Sequence, residues 1–202
     1  MLRRMKEDIK THKLHNRKFN SMNTVERRLL IAYTSFTLLL DITMRNDSNT
    51  LQMARTTSGT TDKGNWYVHS TGTIVLRKFK TARSFSRRGG LPLYLGVRAG
   101  TKRVLDRYVK TRELDAQWLF SLRPGKQLTK TQHATVLTSH SFRYLGVRLG
   151  TTMLRHLVLS EFERTNPTLK ERKEKMRRMQ QLTIETQMSY AWRGGGEEEE
   201  EV

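Results

Sequence analysis

At 202 residues the chain has room for one domain of ordinary size with short tails. It carries 38 Lys+Arg against 19 Asp+Glu and no Cys, which excludes a disulfide scaffold, a thiolate zinc site, an iron–sulfur cluster and a cysteine nucleophile. Of the net charge of +19, +5 lies in residues 1–20 and −4 in residues 193–202, leaving +18 on residues 21–192. The positive excess belongs to the body, and a body that basic attracts polyanions, nucleic acid first among them.

Residues 1–22 are polar and basic and read as an N-terminal arm or remnant linker, able to form a short helix. They lack the apolar stretch of a secretory signal. Thr24 reads as an N-cap with Arg27 in the third position, an incomplete capping box, and a helix is expected over 25–40. The run from Leu29 to Ile42 is the longest apolar one, too short and too interrupted by Thr, Ser and Asp41 to span a bilayer, so it reads as a buried helix. Residues 41–49 read as a polar turn and 51–56 as a strand. Two β-rich runs, 66–69 and 73–79, flank Ser70-Thr71-Gly72 and predict a hairpin. The stretch SFSRRGGLPL reads as a loop, and helices are expected at 101–113, 130–149, 151–164, 169–179 and 184–192. Residues 193–202, Gly-rich and then acidic, read as a flexible tail. The expected fold class is mainly α with a small antiparallel β-sheet, and residues 23–192 are expected to form one catalytic-type, nucleic-acid-binding domain. One echo stands out: YLGVRAGT at 94–101 and YLGVRLGT at 144–151 agree at seven of eight positions. The period extends no further, which argues against a solenoid.

Common catalytic signatures are absent. The six His (12, 15, 69, 133, 140, 156) include no i, i+4 pair and no HExxH, and the chain has no GxSxG elbow and no GxxxxGK[ST] phosphate loop. Composition therefore leaves two readings: a noncatalytic basic nucleic-acid-binding protein, or an enzyme acting on nucleic acid with neither metal nor nucleotide.

The C-terminal third favours the second. MQQLTIETQMSY at 179–190 resembles the last motif of the tyrosine recombinases, the site-specific integrases, with Met179, Ile184, Thr186 and Tyr190 in register. TTMLRHLVLSEF at 151–162 resembles that family's second arginine box, with Arg155 as its arginine, 35 residues before Tyr190. DITMRNDSNTLQM at 41–53 resembles the first arginine box, with Arg45, and IVLRKFKTARSF at 74–85 resembles the β-hairpin lysine motif, with Lys80. The order Arg45, Lys80, Arg155, Tyr190 is the family's order, and the form of the boxes is nearest to integrases of large DNA viruses and mobile elements. Two departures are plain: Thr152 and Gln181 stand where the family carries His, or His or Trp.

The resemblance implies a recombinase-type catalytic domain that cuts and rejoins DNA. Tyr190 would attack the scissile phosphate and hold a 3′-phosphotyrosine, conserving the energy of the cut bond. Arg45 and Arg155 would clamp the phosphate oxygens through planar charged forks, and Lys80 would protonate the leaving 5′-oxygen. His156, Thr152 and Gln181 would support them. Lys78, Arg83, Arg87 and Arg88 are the expected DNA-backbone contacts. The expected partners are duplex DNA and further copies of the chain, with no cofactor, no metal and no membrane. The separate N-terminal domain with which the family grips DNA from the other side has no room at this length. The expected location is intracellular and soluble, in the nucleus or wherever the target DNA resides. The alternative, a catalytically degenerate or non-enzymatic binder, rests on Thr152 and Gln181.

Overall fold

The computed structural model describes residues 1–44, 48–87, 89–112, 118–123 and 125–180. Among them the elements run α1 (Leu2–Thr11), α2 (Thr24–Asp41), β1 (Leu51–Ala54), β2 (Asn65–Val68), β3 (Thr73–Leu76), α3 (Ala82–Ser86), β4 (Leu93–Gly96), α4 (Ala99–Thr111), α5 (Lys130–Leu145), α6 (Thr151–Arg164) and α7 (Leu169–Arg178). The fold is mixed, α plus β, with seven described helices and one four-stranded sheet.

Helix α2 is the axis. It is apolar on nearly every side, and Leu29 to Phe36, Leu38 and Leu39 are all buried. A helix apolar all round must be enclosed, and α1, α4, α5 and α6 pack about it. Its start is one residue earlier than the sequence suggests. Asn23 is the cap: its Oδ1 accepts from the Glu26 N–H at 3.0 Å, and Glu26 Oε2 accepts from the Asn23 N–H at 2.8 Å. The box thus closes on Asn23–Glu26, one register away from Thr24–Arg27. Complete boxes also start α5 (Thr129–Gln132) and α7 (Thr168–Glu171).

The basic N-terminal residues pack as part of this core. Met5 and Ile9 of α1, then Leu14, Phe19 and Met22, are buried in it. Their charged neighbours face outward, so a polar composition conceals a helix with one apolar stripe. Arg27 ties the next stretch down, donating from Nε to the Phe19 carbonyl, from Nη2 to Asn20 and from Nη1 to Leu122, at 3.0, 2.7 and 3.1 Å.

The sheet has the order β1-β2-β3-β4. The expected hairpin is present: β2 and β3 are antiparallel, Trp66 opposite Val75, and Gly72 takes the left-handed turn position at φ +67°. Two features correct the expected antiparallel sheet. First, β1 pairs parallel to β2, with Leu51 opposite Asn65; the crossover over 55–64 leaves no tight turn for the sequence to signal. Second, the chain at the end of the expected loop forms a strand, β4, antiparallel to β3 with Leu76 opposite Leu93; only Leu93 of it lies in that loop, whose first residues, Ser84–Ser86, belong to α3. Leu93 and Leu95 point into the core while Tyr94 stands outside, the two-residue alternation of a half-buried strand. Tyr67, Ile74, Leu76, Leu93 and Leu95 join the main core, and Ala54, Trp66, Val68 and Val75 form a second cluster on the opposite face.

The two copies of YLGVR-x-GT do different work. The first runs from β4 into α4, with Arg98 as N-cap; the second runs out of α5, with Gly146 as C-cap at φ +75°, into α6. The echo is therefore one of letters rather than structure.

Where α5 meets α2, His133 is fully buried, its Nε2 lies 3.0 Å from Ser35 Oγ, and its ring stacks on Phe120. Burial holds the imidazole down at about 4, so it is neutral at physiological pH. Protons then bind the unfolded chain more readily, and the stability this contact supplies is complete above about pH 6.5 and drains away as pH falls toward 4. We expect about 3 kcal/mol of acid destabilisation across that window from this residue. His133→Gln should remove that component from stability-against-pH curves measured by urea denaturation, and an unchanged curve would refute the assignment.

Candidate active site

The candidate site forms where α2 ends. Asp41 is its last residue, and the carboxylate is buried. Asp41 Oδ2 accepts from the backbone N–H of Arg98 at 2.6 Å, fixing the start of α4. Asp41 Oδ1 accepts from Arg178 Nη2 at 2.7 Å, fixing the end of α7, with Arg98 Nε at 3.6 Å. One carboxylate thus gathers residues 57 and 137 positions away. Lys175 lies in the same cluster, with its Nζ over the Phe162 ring. Burial, then Arg98 and Arg178, push its pKa down to about 8, against the opposing pull of Asp41.

Arg155, on α6, lies just behind. Only 3% of it is exposed. Its Nη1 donates to the Thr43 carbonyl at 2.8 Å and to the Met179 carbonyl at 3.3 Å. The first acceptor is two residues before Arg45; the second begins the approach to the Tyr190 motif. A third segment joins through Thr81, the residue after Lys80, whose Oγ1 donates to the Gln180 carbonyl at 2.9 Å. Gln180 is buried and takes a left-handed backbone, φ +58°, where a residue with a Cβ is uncommon, so the chain turns sharply just there.

The lysine motif has its own support. Lys80 lies on the connection from β3 to α3 and is exposed. Asn65, buried on β2, brackets the strand exit: its Oδ1 accepts from the N–H groups of Arg77 and Lys78, both at 2.9 Å, and its Nδ2 donates to the Lys78 carbonyl at 2.7 Å. The position of Lys80 is thereby set by hydrogen bonds on both sides, at Lys78 and at Thr81. Lys78 on the same connection, Arg83 on α3 and Arg87 just after it are exposed.

Of the residues singled out from sequence, Arg155 and the stretch around Lys80 are brought to one end of the molecule. His156 follows Arg155, half-buried, and Thr152 is exposed on the first turn of α6. Arg45, Arg88, Gln181 and Tyr190 lie outside the described residues, as do the expected helix over 184–192 and the tail over 193–202. Asp41, Asn65, Thr81, Arg98, Lys175 and Arg178 are participants the motifs did not single out. The signal available for Asp41 was its place as the lone acid within a long apolar run.

Chemically, the arrangement offers cations around a buried carboxylate, the kind of preorganised positive field that suits a phosphate oxygen. Among the described residues no group of three or more His, Asp or Glu could hold a metal ion, and no helix is long and apolar enough to cross a membrane. Compared with protein-family models, curated proteins and solved structures, the chain matches none.

Asp41→Asn keeps the shape and removes the charge. We expect it to cost roughly 2–4 kcal/mol, because Arg178 and the α4 N-terminus lose a buried charged acceptor. It should also push the Lys175 pKa below about 8, since Asp41 is the partner that holds it up. Denaturant titration and NMR titration of lysine Nζ check both, and a Lys175 value that stayed put or rose would exclude the coupling.

Proposed function

We propose that this chain is a tyrosine-recombinase-type catalytic domain that cleaves and rejoins duplex DNA through Tyr190. One observation carries the reading beyond the motifs. Arg155 donates to the Thr43 carbonyl beside the first arginine box and to the Met179 carbonyl at the start of the tyrosine motif, while Thr81, next to Lys80, donates to Gln180. These bonds join segments 112, 24 and 99 residues apart in sequence, and that convergence supports the reading.

In the proposed reaction the Tyr190 phenol gives up its proton to solvent as its oxygen attacks the scissile phosphorus, and the bond to the 5′-oxygen breaks. Arg45 and Arg155 neutralise the nonbridging oxygens as charge develops, and Lys80 delivers the proton to the departing oxygen. Reversal by a 5′-hydroxyl restores the backbone and frees the phenol, so no high-energy cofactor is consumed. Exposed Lys78, Arg83 and Arg87 supply phosphate contacts that position the duplex without reading its sequence. Self-association on DNA belongs to the same proposal, since exchange needs more than one active site.

A second reading has a specific observation behind it. Arg155 is 3% exposed and already bound to two carbonyls, and Thr152 and Gln181 replace the family's proton-handling side chains. A domain that keeps the fold and the basic surface but has lost cleavage would look this way.

The deciding experiment is covalent trapping on suicide duplexes drawn from a randomised-sequence library. The wild-type chain is expected to form a protein–DNA adduct stable to denaturant, and Tyr190→Phe to form none. Lys80→Ala should slow adduct formation roughly 10²–10⁴-fold and Arg155→Lys roughly 10²–10³-fold. DNA binding by the wild type with no adduct would establish the second reading instead.

A further inference from the structure

About nine residues along α4 from Arg98, a separation of about 14 Å at the helical rise, lies a second concavity. It has a volume of about 420 Å³ and sits between α1, the turn after it, α2 and the C-terminal half of α4. That falls within the usual range for small-molecule sites, roughly 300–1,000 Å³. The floor is apolar: Ile9 and Tyr33 are buried there, with Val104 partly covered beside them. The rim is cationic, formed by Lys6, Lys10 and Lys13 on one side and Arg107 and Lys110 on the other.

The local sequence builds this on purpose-like spacings. Lys6, Ile9 and Lys10 lie at i, i+3 and i+4 on one face of α1, with Lys13 just past the helix end, and Val104 and Arg107 lie at i and i+3 on α4, with Lys110 one turn further on. Lys13 adopts a left-handed backbone at φ +50°, uncommon for a residue with a Cβ, while the next residue, Leu14, is buried in the core.

Among the described residues no carboxylate lines the cavity. The two acids of α1 are engaged elsewhere: Glu7 pairs with Arg3 at 3.6 Å, and Asp8 accepts from the Tyr144 hydroxyl. Among the described residues none of the five rim cations makes an ion pair. Lys6 with Lys10, and Arg107 with Lys110, are like-charge neighbours on their helices, an arrangement that is destabilising unless an anion joins it.

The polar groups between rim and floor are His15 and Asn16. Burial, then Arg107, holds the His15 imidazole below its ordinary range, so it is neutral and offers one donor and one acceptor. Its Nδ1 is buried without a hydrogen-bond partner in the described structure. Cations fit phosphates; an apolar floor with amide and imidazole groups fits a planar heterocycle. A bare duplex is too wide to enter.

We propose that this cavity binds a phosphorylated nucleotide, its phosphates held by the α1 and α4 cations and its base seated on Ile9, Tyr33 and Val104. The same chemistry is presented by a free nucleoside polyphosphate and by the 5′-phosphorylated end of a strand. The site is independent of the DNA-cleavage reading, so Tyr190→Phe should leave it intact.

Isothermal titration of the full chain with ATP, with tripolyphosphate and with a 5′-phosphorylated dinucleotide tests this. At least one nucleotide ligand should bind with submillimolar affinity and more tightly than tripolyphosphate, and should shift the His15 ring resonances. The double variant Lys10→Ala/Arg107→Ala should lose tenfold or more, while Lys130→Ala/Lys170→Ala, with the same change in net charge elsewhere, should lose less than threefold. ATP binding without dinucleotide binding assigns the free nucleotide; the converse assigns the strand end. Absence of binding, equal loss in both double variants, or tripolyphosphate binding as well as the nucleotides would overturn the proposal.

Discussion

A single carboxylate at the end of the most apolar helix organises this protein. The chain carries twice as many cations as acids, so each buried acid is in demand. Asp41 is held at the one position where α2 runs out, and it accepts simultaneously from the start of α4 and the end of α7. A buried ion is favourable only when its lone pairs are nearly all used, and here a backbone N–H and a guanidinium use them. Remove that charge and three segments lose their common reference: the turn leading toward Arg45, the helix that carries Arg98, and the stretch leading toward Tyr190.

Arginine does inside this molecule what disulfides do in others. With no cysteine available, long-range ties fall to guanidinium groups, whose several donors can cap carbonyls from different segments at once. Arg27 holds the 19–20 turn and Leu122. Arg112 donates to the Tyr108 hydroxyl, to the carbonyls of Leu119 and Ser121 and to Ser121 Oγ, and sits 4.8 Å above the Phe19 ring. Arg155 repeats the device at the candidate site. Arginine suits this role because it is more weakly hydrated than lysine and so is less costly to bury. The cost is that buried guanidinium groups depend on their acceptors staying in place, so disturbance of one segment is felt by the others.

What the sequence made legible follows from the range of the forces involved. Helix α6 was readable to its end residues because its apolar spacing and flanking Gly150 and Thr165-Asn166-Pro167 are local. The hairpin was readable for the same reason. The cap at Asn23 was missed by one position because Asn, Thr and Glu all stand close together and only the geometry chooses. Strand β4 was hidden by Gly89, Gly90 and Pro92; pairing with β3, which no local pattern announces, makes it a strand. The parallel β1–β2 ladder and the burial of α1 depend on contacts that close only in the folded chain. In the site, the motifs named Arg155 and Lys80, whereas Asp41, Asn65 and Arg178 emerge only when segments far apart in sequence meet.

The cations therefore divide into two populations. Arg27, Arg112, Arg155 and Arg178 have their donors engaged by internal carbonyls, hydroxyls or Asp41. Lys78, Arg83 and Arg87 beside the candidate site, and the five around the α1–α4 cavity, stand exposed and make no ion pair among the described residues. Solubility alone would be served by charges of either sign scattered over the surface. Concentrating one sign at two places raises the electrostatic cost of folding, and that cost is offset only when an anion arrives. Two such places, one beside the arginine and lysine motifs and one floored with apolar side chains, differ in shape, and under the two proposals the first would take a phosphate within a strand and the second a phosphate bearing a base.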